Sequence, residues 1–566
     1  MHQPRIIALA VLALPLSSLA DRAPDQLNEA TLVELQQQMA RGRLTSIELT
    51  RYYLQRIVEI DQKGPDLNSF IELNPDALGM AQVADAERRH GIVRGPLHGI
   101  PVVLKDNIDT GDRMQTTAGS FALAGRPALQ DSTVAAKLRA GGAVILGKTN
   151  LSEWANFRGF FQSSAWSGRG GLTKNPFVLD RNPSGSSSGS AVAVSANLAA
   201  VALGTETNGS LVSPAQVNGI VAIKPTVGLT SRAGVVPLSH TQDCVGPLAR
   251  TVADAAATLS VVQSTSFDGR DPATAGVPIG WRGRSRPALP TDYTQFLDGE
   301  GLRGARLGVT RQGVDNGRPE VVAAWDAAVA TMQAAGATIV DLDAAGASFP
   351  FPDGGFLTLL YDFKVDAAAY FATRVGVPVA GGTLHDVRAF DQAHADAEMP
   401  FFGQEIFDIE EDIDVSSPDA PQPDFDGLTY NQALDGSAAF GANVDRILAD
   451  NALDAIVAPT GDLAWATDLY YTDRFTFGSS YIAAIGGYPN VQVPASTVFG
   501  LPFGVSFMGT AFSEPTLIKL ASGFEAATLA RVEPTFSPTL LPDHTKGVPL
   551  LPKHRGLRRP SAKHHI

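Results

Sequence analysis

Between residues 95 and 262, short apolar runs of strand-like composition (100–104, 143–146 and 220–223) alternate with alanine-rich stretches of helical composition (133–140 and 191–202). Unbroken apolar runs of that length suit strands buried on both faces, and the alternating helices are what would bury them. The expected fold is therefore α/β, a single large mixed β-sheet covered by helices on both faces. Length alone, 566 residues, would suggest roughly three or four domains, yet no linker divides the chain and one large sheet accommodates the excess.

The flanks extend this pattern. Residues 31–61 read as largely helical, with Thr45 and Glu48 forming a capping box and Leu49, Tyr53 and Ile57 recurring on one face. A stretch rich in Gly, Pro, Arg and Asp at 264–290 reads as a surface excursion. Residues 304–342 return to strand, helix, strand. Residues 349–427, with an acidic run at 408–414, lack periodicity and are expected to form long loops. Buried strands are expected again at 453–459 and within 490–508.

Residues 1–20 stand apart: Arg5 precedes an apolar run at 6–16, and Ser18-Leu19-Ala20 follows at the cleavage position, the pattern of a removable secretory signal. The expected location is thus periplasmic or secreted, with residues 21–545 forming the mature body. No later apolar stretch approaches the twenty or so residues of a membrane span, so no membrane partner is expected. Loss of Arg5 with the signal takes the formal charge from −14 to −15. That balance argues against a nucleic-acid partner. The basic, proline-containing segment 546–566 reads as a solvated or loosely docked tail. A lone cysteine, Cys244, excludes an internal disulfide and sits in the apolar context of a buried thiol.

Three stretches carry chemistry: HGIPVVLKDN (98–107), NPSGSSSGSA (182–191) and GTETNGSLVSPA (204–215). In the third, consecutive small residues allow backbone N–H groups to converge on one concavity beside the Ser210 hydroxyl, which is what a tetrahedral oxyanion needs. In the second, neighbouring hydroxyls are able to relay a proton, since each is donor and acceptor, although such a run alone also reads as a flexible loop. A serine becomes a nucleophile only when a base takes its proton, and a lysine serves only if burial keeps it neutral. Lys105, Lys148 and Lys224 all lie at or near the ends of apolar runs, and composition does not choose among them. The reading is an amide-hydrolysing site that uses no histidine.

The order of blocks resembles the amidase signature family: GPLHGIPVVLKDN, TTAGS (116–120), GKTNLSEWA (147–155), the glycine-serine turn, GTETNGS, GIVAIKPTVG (219–228) and GPLARTVADAA (246–256), all within 95–256. AIVAPT (455–460) and GYPNVQVP (487–494) extend the resemblance over nearly the whole mature chain. It implies the amidase signature fold and a Ser-Ser-Lys relay. Lys105 is then the base, Ser186 the bridging serine reached through a cis peptide, and Ser210 the acylated nucleophile. The backbone N–H groups of Thr207, Asn208, Gly209 and Ser210 form the oxyanion hole. No cofactor or metal is implied, and the ten histidines show no His-Glu-x-x-His spacing. Ser184, Ser188 and Asn208 stand where the family usually has glycine; asparagine tolerates the left-handed backbone such a turn could require. NLSEWANFRG (150–159), AWSGRGG (165–171) and GTETNGS are most similar to the branch containing bacterial peptide amidase, which implies a peptide amide substrate. Related blocks serve other aliphatic or aryl amides. Trp154, Trp166 and Arg158 either line the acyl side or pack in the interior.

Three other readings compete. Gly185-Ser186-Ser187-Ser188-Gly189 matches the Gly-x-Ser-x-Gly elbow of α/β-hydrolase esterases, with Ser187 as nucleophile, but 179–184 is polar rather than strand-like. A non-catalytic amide-binding protein would be expected to have lost part of the trio. The family's amidotransferases, which work on charged transfer RNA, conflict with the acidic composition and the export signal.

Overall fold

A computed structural model of the chain describes residues 27–540. The expected signal (1–20) and basic tail (546–566) lie outside the described residues.

The strands are β1 (Phe70–Leu73), β2 (Pro101–Lys105), β3 (Val144–Thr149), β4 (Trp166–Ser167), β5 (Gly171–Leu172), β6 (Val201–Glu206), β7 (Val221–Lys224), β8 (Cys244–Ala249), β9 (Arg306–Val309), β10 (Thr338–Asp341), β11 (Ala455–Pro459), β12 (Asn490–Val498) and β13 (Leu501–Met508). All but the small β4–β5 ribbon join one sheet in the order β1-β3-β2-β6-β8-β7-β12-β13-β11-β9-β10. The sheet is mixed: β2 runs parallel to β3 and β6, and β9 parallel to β10 and β11, while β8 is antiparallel to β6 and β7. Helices cover both faces, as the apolar runs require. Every residue of β2, β3, β6, β7 and β8 is buried, which is why none of them shows an alternating pattern.

The opening segment forms helices Leu32–Ala40 and Ser46–Arg56, and the Thr45–Glu48 capping box is present. Residues 304–342 give β9, helix Pro319–Ala334 and β10, and the late apolar runs give β11 and the β12–β13 hairpin. The helix expected at 191–202 is displaced. It spans Ser188–Ser195, Asn197 turns to a left-handed φ of 56°, and Val201 already begins β6. Alanine composition does not distinguish a buried helix from a short connector and strand.

The loops expected at 349–427 are instead mainly helical: Gly355–Phe371, Leu384–Ala393 and Glu405–Glu411. They build a second core with Trp154, Leu357, Leu360, Phe363, Phe371 and Phe407. Each such side chain contributes about 1.5–3 kcal/mol when fully buried, so packing rather than propensity fixes this segment. Periodicity was hidden by buried acids. Asp362, in the middle of the first helix, accepts hydrogen bonds from the Ser239 and Tyr430 hydroxyls at 2.5 Å each. Glu410 is likewise buried in the acidic run.

Candidate active site

The parallel pairing of β2 with β6 sets Leu104 opposite Leu203, and so brings the C-terminal end of β2 beside Thr205. There the Lys105 Nζ lies 2.7 Å from Ser186 Oγ, 2.8 Å from Thr205 Oγ1 and 3.4 Å from the Thr205 carbonyl. Asn107 Nδ2 donates to the same Thr205 hydroxyl at 3.0 Å. Lys105 and Ser186 are fully buried. Burial pushes the amine down to about 7, against the opposing charges of Asp243 and Glu206.

The other two lysines occupy different surroundings. Lys148 donates to the Ile108 carbonyl at 2.6 Å and Thr116 Oγ1 at 2.7 Å, and Lys224 to the Tyr488 carbonyl at 2.8 Å. Of the three, Lys105 is the one in contact with a serine of the 182–191 turn.

That turn is built from tight backbone. Ser184 has a left-handed φ of 59° and the Gly185–Ser186 peptide is cis. The glycine usual at Ser184 suits such a φ; here serine adopts it, and its hydroxyl meets Ser213 Oγ at 2.8 Å. Ser188 begins the following helix and donates to the Ser184 carbonyl at 2.6 Å. A Cβ at Gly185 would approach Ser152 Oγ to 2.1 Å, so a larger residue there displaces the hydroxyl that accepts the Ala165 N–H. Ser187, the competing nucleophile, points into the sheet: its hydroxyl donates to the Thr205 carbonyl at 3.0 Å and accepts the Thr205 N–H at 3.2 Å. No strand leads directly into the turn, so the elbow architecture is absent.

The second turn links β6 to helix Val212–Val217. Its left-handed residue is Gly209 (φ 88°) and not Asn208, so asparagine meets no backbone strain there. Asn208 Oδ1 instead accepts from Ser480 Oγ at 2.7 Å. Glu206 Oε2 takes the N–H groups of Leu211 and Val212 at 2.8 and 3.1 Å. Among the described residues, the N–H groups of Asn208, Gly209 and Ser210 donate to no protein acceptor. The two turns are tied by the Ser187 N–H on the Ser210 carbonyl at 3.1 Å. Ser210 is half-buried, and among the described residues its hydroxyl forms no hydrogen bond, including with Ser186. The geometry thus joins Lys105 to Ser186 directly, and Ser210 to that turn through its backbone.

Trp154, Trp166 and Arg158 belong to the interior. Trp154 meets Phe363, Phe371 and Phe407 edge-on, while Arg158 pairs with buried Glu153 and lies 4.4 Å from the Phe402 ring centroid. Cys244 is buried as expected, with its thiol pushed up to about 12 by burial. Among the described residues no cluster of His, Cys, Asp and Glu has metal-binding geometry, and no helix is long and apolar enough to cross a membrane. Sequence reasoning missed Thr205, Asn107 and Asp243. The first two lie inside quoted blocks, Thr205 next to Glu206 and Asn107 two positions after Lys105, but their roles follow only from strand register.

A family model described as Amidase matches residues 48–518. The chain is 44% identical to the native peptide amidase from Stenotrophomonas maltophilia, with a TM-score of 0.80 and coverage of 90% of this chain and 99% of that one. It is 40% identical over 529 residues to a probable amidase of Arabidopsis thaliana, covering 90% of this chain and 92% of the relative. A glutamyl-tRNA(Gln) amidotransferase subunit of Nocardia farcinica is 32% identical, covering 88% and 98%. With its blocks in order, its α/β sheet and its buried lysine against a serine turn, the chain belongs to the amidase family and is an amide-hydrolysing enzyme.

Proposed function

We propose that this amidase is an exported serine hydrolase that removes the C-terminal amide of peptides through a Lys105–Ser186–Ser210 relay and an acyl-enzyme. The observation that carries the relay is the buried amine of Lys105 at 2.7 Å from Ser186 Oγ. A neutral amine has two N–H donors and one lone pair. Thr205 offers two acceptors to it, at 2.8 and 3.4 Å, which leaves the lone pair for the Ser186 hydroxyl proton. Ser186 then takes the proton of Ser210 as Ser210 Oγ attacks the amide carbon, with the backbone N–H groups of Thr207, Asn208, Gly209 and Ser210 receiving the oxyanion. The leaving nitrogen is protonated back through the relay. Water activated by the same groups releases the carboxylic acid.

A peptide substrate agrees with the similarity to peptide amidase and with the surroundings of the turns. Asn182 binds one loop through Ser164 and another through Trp465, and these loops expose Phe160, Phe161, Tyr470 and Tyr471. Exposed aromatic side chains on loops tied to this turn suit the side chains of a peptide. Export rests on the signal pattern of residues 1–20. The test is mass spectrometry of products after incubation with amidated peptides, amino-acid amides and aryl amides. Conversion of terminal amide to acid in the peptides alone supports the reading. Preferential cleavage of aryl amides rejects the peptide assignment, and a secreted form retaining residues 1–20 rejects the cleaved signal.

A further inference from the structure

The antiparallel register of β6 and β8 pairs Glu206 with Cys244. The residues that flank this pair, Thr207 after β6 and Asp243 before β8, are therefore neighbours although 36 positions separate them. Asp243 Oδ1 accepts the Thr207 hydroxyl at 2.5 Å, and Oδ2 accepts the N–H groups of Leu238 and Ser239 at 2.7 and 2.9 Å. One carboxylate thus clamps the 238–243 loop to the first residue of the turn that ends in Ser210.

We propose that Asp243 is a positioning residue for amide hydrolysis: through Thr207 it fixes the entry to the oxyanion turn. The inference rests on Lys105 being the base, as argued above. Burial raises the Asp243 carboxyl, while Thr207, Leu238, Ser239 and Arg232 favour its charged form. Arg232 is itself engaged by Asp271, at 2.7 and 3.0 Å, so it does not neutralise Asp243 alone. Against the burial of Lys105 act Asp243 first, then Glu206 on β6; the Cys244 thiol on β8, pushed up to about 12, is uncharged near neutrality. The direct partners of the amine, Ser186 and Thr205, carry no charge. Asp243 consequently restrains how far the amine is driven toward neutrality, and holds the turn in place by a separate contact.

These two actions separate by mutation. Asp243→Asn removes the charge and keeps one acceptor for Thr207, while Thr207→Val keeps the charge and removes the contact. With an amidated peptide, kcat and KM are measured across pH for the parent, both variants, Thr207→Ser and Lys105→Ala, with melting curves as a folding control. Asp243→Asn is expected to move the acid limb of kcat/KM downward by about half a pH unit or more. Thr207→Val is expected to lower kcat roughly tenfold with KM little changed and the limb in place, and Thr207→Ser to restore it. An unmoved limb in folded Asp243→Asn overturns the electrostatic role while an inactive Lys105→Ala leaves the base assignment standing. Should Asp243→Asn fail to fold, equal kcat in Thr207→Val and Thr207→Ser overturns the positioning role. An active Lys105→Ala rejects the base itself.

Discussion

Titration of the parent enzyme between about pH 5 and 9 probes the group on which the relay depends. A lysine in water, with a pKa near 10.4, is neutral in roughly one molecule in 2,500 at pH 7. Burial brings Lys105 to about 7, so about half of the molecules hold a neutral amine there. A base acts when deprotonated; activity therefore rises with pH, and each unit below the midpoint removes about nine-tenths of the neutral amine. The expected kcat/KM for ammonia release from an amidated peptide falls about fiftyfold between pH 7 and 5, approaching unit slope on the acid side, and levels off above about 8. Ammonia is quantified by a coupled assay on enzyme shown by circular dichroism to remain folded. A profile flat to pH 5, or a limb near 10, refutes the argument that burial creates the base.

Four further outcomes follow from the same geometry. Ser210→Ala is expected to lose at least about a thousandfold in kcat, whereas Ser187→Ala, whose hydroxyl only bridges the Thr205 backbone, loses about 1–2 kcal/mol of stability and keeps its chemistry; denaturant melts and initial rates distinguish the two. Gly209→Ala forces a side chain onto φ 88° with its Cβ 3.1 Å from Ser480 Oγ, and is expected to depress kcat more than KM. In Lys105→Met, the folded amine that titrates near 7 is gone while the unfolded lysine titrates near 10.4. The penalty of a buried ammonium, present in full below about 7 and relieved as pH rises toward 10, is on the order of 4 kcal/mol near neutrality. Lost bonds to Ser186 and Thr205 offset part of it, so an inactive but more stable protein is expected at pH 7, and a lower Tm contradicts this. Asp391 is buried without a partner for either oxygen and is pushed up to about 8 by burial and by Glu398. Its stabilising contribution is present below about 4 and lost as pH rises through 8, so Asp391→Asn is expected to raise Tm more at pH 8 than at pH 4.

The sheet was legible because its strands are buried on both faces and therefore stand out as apolar runs at β2, β3, β7, β11 and β12–β13. Strand order was not, since β8 and β12 reach across the sequence to pair beside β7. The helices at 355–371 and 405–411 escaped notice because Asp362 and Glu410, buried by tertiary partners, interrupt the apolar period that sequence reading depends on. At the site, the two turns and Lys105 were marked by local composition and by resemblance to the family. Composition alone left Lys148 and Lys224 equal to Lys105; the resemblance singled out Lys105, and the β2–β6 register shows its contact with Thr205 and Ser186. Asp243 carried no local mark: its place beside Thr207 is created by antiparallel pairing of distant segments.

Acid quenching of the enzyme during turnover of an amidated peptide, followed by proteolysis and mass spectrometry, locates the acyl group. The relay predicts the acyl mass on the fragment bearing Ser210, and none in Ser210→Ala. An acyl group on Ser186 or Ser187, with ammonia release undiminished in Ser210→Ala, would contradict it.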